Sequence, residues 1–173
     1  RNFDHPDAMD KELAIRQLGE LARGVGVDLP VYDYATHTRA STGRRVEPGW
    51  IVIVEGLFTL YWEEVRNLFD LKIFLEAGHD LCLERRLARD LQLRGRTAEF
   101  VRQQHAGTVI PMFERYIHPT SRFADLLLRG EDPVESSVAA ILSRIEQAAE
   151  SSNNADTDTS RTAMSEEQKP TEE

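Results

Sequence analysis

The sequence predicts an α/β fold built on a parallel sheet with helices packed around it. Two observations carry this. Three near-continuous apolar runs, WIVIVEGLF (50–58), LKIFLE (71–76) and FADLLL (123–128), have the composition of strands covered on both faces. Helix-compatible stretches separate them, as strand–helix–strand crossovers require.

Taken in order, residues 7–23 place Leu13, Ala14, Leu18, Leu21 and Ala22 at helical spacing, and Gly24 is a natural C-terminal stop. LPVYDY (29–34) is a short extended segment, and RASTGRRVEPG (39–49), with its glycines and proline, reads as a hairpin or bent ribbon. Further helices are expected over 61–69, 79–93, 97–117 and 134–149. Pro111 should kink or break the third of these, because it lacks an N–H and its ring crowds the preceding turn.

Charge is unevenly placed. The net charge is −9, and the segment from Glu150 to Glu173 holds seven acids against Arg161 and Lys169. Met164 is its one large apolar side chain, so it cannot bury enough surface to offset its ordering entropy. The expected organisation is one domain over 1–149 and a disordered acidic tail over 150–173. An acidic chain lacks the basic surface that non-specific nucleic-acid binding draws on. The single cysteine, Cys82, excludes an internal disulfide framework. No apolar run approaches the ~20 residues of a membrane span and no signal-peptide pattern is visible, so a cytoplasmic location is expected.

Three clusters could carry chemistry. Glu55 follows the apolar IVIV, at the carboxyl end of a predicted strand, where a carboxylate can hold magnesium directly or through water. Capping the next helix or pairing with an arginine is the alternative. In ERRLARDLQLRGR (84–96), Arg86 and Arg89 share a helix face, and Arg94 and Arg96 flank Gly95. Such a group suits a lid that closes over phosphates; a solvated, salt-bridged helix face is the alternative. Asp4, Tyr32 and His37 together supply a carboxylate, an aromatic face and an imidazole for a sugar-and-base ligand. Singly they are explained as a helix cap, a core residue and a turn residue. Asp7 is a second candidate for the cap.

These segments together carry a resemblance. NFDHPDAMD, VYDYATHTR, VEPGWIVIVEGLF, FDLKIFLE, RRLARDLQLRGR and PTSRFADLLLRG occur in this order in uridine kinases, within the phosphoribulokinase and uridine kinase group of P-loop kinases. The similarity runs from Arg1 to about Leu142. It implies a P-loop kinase-like parallel sheet with a small β-ribbon. It implies nucleoside contacts from Asp4 (on the ribose), Tyr32, His37, Arg86, Arg96 and Gln104, a magnesium role for Glu55, and a catalytic, phosphate-facing role for Arg89 and Arg94. Cys82, Ser121, LLLRG and His105 depart from the residues usual in relatives.

Family members begin with a strand, a GxxxxGKS/T loop that cradles phosphates, and a second strand bearing the catalytic base. No GxxxxGK pattern occurs in this chain. The expectation is therefore a carboxyl-terminal portion, catalytically incomplete by itself. The resemblance implies transfer of the terminal phosphoryl group of ATP or GTP, with Mg²⁺, to the 5′-hydroxyl of uridine or cytidine, in a homotetramer. A phosphoribulokinase-type kinase and a non-catalytic nucleoside-binding or regulatory homologue are the alternatives.

Overall fold

A computed structural model describes residues 2–33 and 38–148. The chain divides into two compact units, Arg1–Leu127 and Leu128–Glu173. The predicted tail and His37 lie outside the described residues.

The first unit opens on a single 3₁₀ turn, Pro6–Ala8, and the helix expected from Asp7 begins instead at Lys11. Met9 is extended (φ −98°, ψ 150°), which ends the first turn before a helix can propagate. Helix α1 (Lys11–Ala22) is capped by Asp10, whose Oδ1 accepts from the Leu13 N–H at 3.0 Å. The Asp7 N–H donates to His5 Nδ1, so neither Asp4 nor Asp7 caps the helix. At the other end Gly24 adopts φ 78°, as the sequence indicates for a helix stop.

The ribbon follows in two tiers. Strands β1 (Val27–Leu29) and β4 (Arg44–Val46) pair antiparallel, with Val27 opposite Val46. Inside them β2 (Tyr32–Asp33) pairs antiparallel with β3 (Thr38–Arg39).

The run 50–58 departs from expectation. Residues 51–56 are neither a strand nor paired with any described strand, and Ile51, Val52 and Ile53 are 48, 42 and 87% exposed. An apolar run reports a demand for burial, whereas a strand also needs a neighbouring backbone to complete its ladder. No described strand lies alongside this one, and Glu55 therefore does not end a central strand.

Regular structure resumes at α2 (Glu63–Arg66), shorter than the predicted 61–69, and β5 (Ile73–Glu76). Strand β5 pairs with β6 (Leu126–Arg129). The N–H groups of Asp125 and Leu126 donate to the Lys72 carbonyl at 2.8 and 3.2 Å. Both strands thus start at the same end and run parallel, confirming an α/β arrangement.

Between them, α3 occupies His79–Leu93, the range expected from the sequence. Helix α4 (Ala98–Gln104) then continues through a wide π turn, His105–Val109, a short helix α5 (Ile110–Met112), and a second π turn, Phe113–Ile117. Pro111 lies between the two wide turns. The widened winding makes room for its ring, which would otherwise crowd the carbonyl four residues back, so the chain stays helical through the position where a kink or break was expected. A 3₁₀ segment, His118–Phe123, closes the stretch. The second unit contains one described helix, α6, over 134–148.

The core of the first unit is aromatic. Phe58, Leu60, Phe74 and Ile117 are buried, with Tyr61, Trp62, Phe69, Phe113 and Tyr116 packed against them. Ring centroids of Phe58 and Trp62 stand 5.9 Å apart, and those of Tyr61 and Tyr116 5.8 Å. His5 Nε2 meets the Tyr116 hydroxyl at 2.8 Å, tying the opening turn to the long helical stretch.

Phe58, 4% exposed, anchors this cluster. Phe58→Ala is expected to lower unfolding stability by about 3–5 kcal/mol in a denaturant titration. Asp10→Ala should lower the melting temperature through loss of the cap and of its 2.8 Å bond to Arg39, while Asp7→Ala leaves it unchanged.

Candidate functional site

The site is assembled around one carboxylate. Asp90, on the last turn of α3, is fully buried (0% exposed) and meets four arginines. Arg89 Nε donates to Oδ1 at 2.8 Å, and Arg94 Nη1 stands 3.6 Å from the same oxygen. Arg96 Nη1 donates to Oδ2 at 3.0 Å, and Arg86 Nε lies 3.6 Å from it.

Local sequence explains how four guanidiniums converge. Arg86 and Arg94 sit one helical turn before and after Asp90, on its face. Arg96 could not reach back along a continuing helix. Gly95 takes φ 59°, a left-handed conformation that suits glycine, and turns the chain so that the Arg96 N–H bonds the Asp90 carbonyl at 3.2 Å. The side chain then follows onto the carboxylate. From α4, Gln104 Oε1 accepts from Arg86 at 2.7 Å and from Arg96 at 3.5 Å.

Electrostatics follow from burial and crowding. Desolvation pushes the Asp90 pKa up, but the Arg89 hydrogen bond and the charges of Arg89, Arg94 and Arg96 outweigh it, so the net shift is downward. Burial pulls Arg86 below its usual value, against the opposing pull of Asp90 and Asp4. Four guanidiniums against one buried carboxylate leave excess positive charge, which suits an anionic group. Gln104 gives the same place a neutral amide.

The structure thus brings Arg86, Arg89, Arg94, Arg96 and Gln104 together, with Asp4, half-buried in the opening segment, close enough for its charge to act on Arg86. Tyr32 stands on the ribbon opposite Arg39. Glu55 has an exposed side chain in the extended segment before Gly56.

Two residues here escaped the sequence reading of the site. Asp90 was hidden because an acid among arginines looks like one member of a solvated ion-pair face; only its burial reveals the convergence. His105 begins the first π turn and is 5% exposed, and neither ring nitrogen makes a well-formed hydrogen bond, the His79 backbone being a weak partner only. Desolvation, followed by the Arg86 and His79 charges, holds its pKa below 6.5.

An α/β fold carrying a guanidinium cluster beside an amide has the chemistry to hold a polar, anionic group. Sequence comparison gives the family. The profile of the Phosphoribulokinase / Uridine kinase family matches residues 1–134. A uridine kinase of Lactobacillus helveticus is 42% identical over 135 residues, 77% of this chain and 64% of that protein. One from Lactococcus lactis is 42% identical over 148 residues, covering 82% of this chain and 72% of the relative. One from Chloroflexus aggregans is 40% identical over 150 residues, with 87 and 72% covered. The chain belongs to the phosphoribulokinase and uridine kinase family. It spans about two thirds of the length of these curated relatives.

His105 supplies a test of the site's electrostatics. Its folded pKa is depressed, so the unfolded chain takes up the proton first, and stability present above pH 6.5 is lost as pH falls toward the folded value. His105→Phe, which removes both buried ring nitrogens, should raise the melting temperature and flatten its decline between about pH 7 and 5. An unchanged slope would contradict the assignment.

Proposed function

We propose that this chain carries the acceptor-binding part of a nucleoside kinase that phosphorylates the 5′-hydroxyl of uridine or cytidine. The observation that supports this best is the Asp90-centred cluster, with its amide and its surplus of positive charge, in a chain whose relatives are uridine kinases.

In this reading Arg86, Arg96 and Gln104 donate to and accept from the polar edge of the base. Asp4 accepts hydrogen bonds from the ribose hydroxyls. Tyr32, on the ribbon, and His37 complete the nucleoside contacts. Arg89 and Arg94, 48 and 41% exposed, neutralise phosphate oxygens of an ATP or GTP donor. The cluster acts by orienting the acceptor and offsetting phosphate charge.

Magnesium fits as an ion carried by the triphosphate, since Mg²⁺ is held by one or two carboxylates together with substrate phosphates and water. Glu55 is the carboxylate assigned to it, and among the described residues no group of three His, Cys, Asp or Glu is arranged to hold a metal ion. The ion supplies charge neutralisation at the phosphates when bound.

No described helix is long and apolar enough to cross a membrane. A homotetrameric assembly is carried over from the resemblance. No stretch of the 173 residues has the GxxxxGK spacing of a phosphate-cradling loop. These residues alone are therefore proposed to bind nucleoside without turning it over, and UMP formation should stay at background when they are mixed with uridine, ATP and Mg²⁺.

Calorimetric titration with uridine tests the reading. Binding is expected for uridine or cytidine and not for adenosine. Asp4→Asn, which removes charge-assisted bonds worth ~1.5–3 kcal/mol each, should weaken it at least ~10-fold with little change in melting temperature. Absence of any pyrimidine nucleoside binding by the folded native chain would refute it.

A further inference from the structure

The two oxygens of Asp90 are not used alike. Oδ1 takes Arg89 and Arg94, and Oδ2 takes Arg86 and Arg96. The Oδ2 pair is the inner one, with side chains 15 and 31% exposed, and both of its members also meet Gln104. The Oδ1 pair is the outer one, 48 and 41% exposed. An inner pair sharing an amide suits a neutral, hydrogen-bonding ligand. An outer, solvent-facing pair suits a phosphate chain.

We propose that Asp90 is a positioning residue that couples these two subsites, so that nucleoside on the inner arginines tightens phosphate binding on the outer ones. A single buried carboxylate on α3 takes a hydrogen bond from one arginine of each pair, Arg89 and Arg96, and stands 3.6 Å from the other two. When a ligand draws Arg86 and Arg96 into one geometry, Oδ2 becomes a fixed acceptor, and the orientation of the carboxylate plane sets where Oδ1 holds Arg89 and Arg94. The second ligand then orders less. Asp90 touches neither ligand and acts through the guanidiniums. This rests on the nucleoside-kinase reading above.

The neutral, isosteric Asp90→Asn keeps one acceptor oxygen and replaces the other with a donor, which no guanidinium can use. Anion affinity alone is a poor readout, because removing a negative charge strengthens attraction while lost orientation weakens it. Coupling is free of that ambiguity. Inorganic tripolyphosphate is titrated into the chain with and without saturating uridine, and the reverse titration checks reciprocity.

In the native chain uridine should tighten tripolyphosphate about fivefold or more, and tripolyphosphate should tighten uridine by the same factor. In Asp90→Asn the two should bind independently. Native binding of both probes without coupling overturns the proposal and leaves the functional reading standing. No uridine binding by the native chain removes that reading, and the proposal with it. Coupling retained in Asp90→Asn also overturns the proposal. If Asp90→Asn does not fold, Arg89→Gln is read with uridine alone. Coupling through Asp90 predicts weakening of roughly threefold or more, although Arg89 is on the outer side, and unchanged affinity contradicts it.

Discussion

A buried carboxylate that holds four arginines is the constraint from which the rest of this site follows. Stripped of partners, Asp90 in a water-free position would be too costly to stay ionised, and the arginines would repel one another into solvent. Together they define each other's positions. Removing one partner from a buried charge pair typically costs about 3–5 kcal/mol, so the cluster is also a structural element of the α3–α4 corner. Gly95 is the backbone feature that makes it possible, since a continuing helix would carry Arg96 away from Asp90.

The packing beneath gives this corner a firm base. Helix α3 enters directly from β5, whose Phe74 is part of the aromatic core. The long helical stretch after Thr97 returns Phe113, Tyr116 and Ile117 to the same core, and Tyr116 holds His5 beside it. Asp4 is one residue from that anchor. The opening segment, dense in acids and stiffened by Pro6, is therefore fixed by a histidine–tyrosine contact and not by capping a helix. Its acids divide differently from the sequence expectation: Asp10 caps, Asp7 stays exposed, and Asp4 acts on Arg86.

Much of this was legible in the sequence because local signals suffice for local structure. Helix α1 shows its spacing and its glycine stop, the ribbon its turn residues, and β5 and β6 their apolar runs. In residues 50–58 local signals do not suffice. Their composition demands burial, yet strand formation depends on a neighbour that the run itself cannot specify. Pro111 is a second case, where a kink or break was expected and the disturbance takes the form of a changed helical winding. At the site, the arginines were visible by type and spacing. Their shared partner was not, because burial of Asp90 depends on α4 folding back beside α3, a long-range event. The burial of His105 was invisible for the same reason.

We hold that the inner arginines and Gln104 receive a pyrimidine nucleoside. A crystal structure of this chain soaked with uridine addresses it most directly. The base edge is predicted to lie within hydrogen-bond distance of Arg86, Arg96 and Gln104, with the ribose hydroxyls on Asp4 and the Asp90 contacts intact. Uridine bound elsewhere, with those three side chains still bonded only to one another and to Asp90, would contradict it.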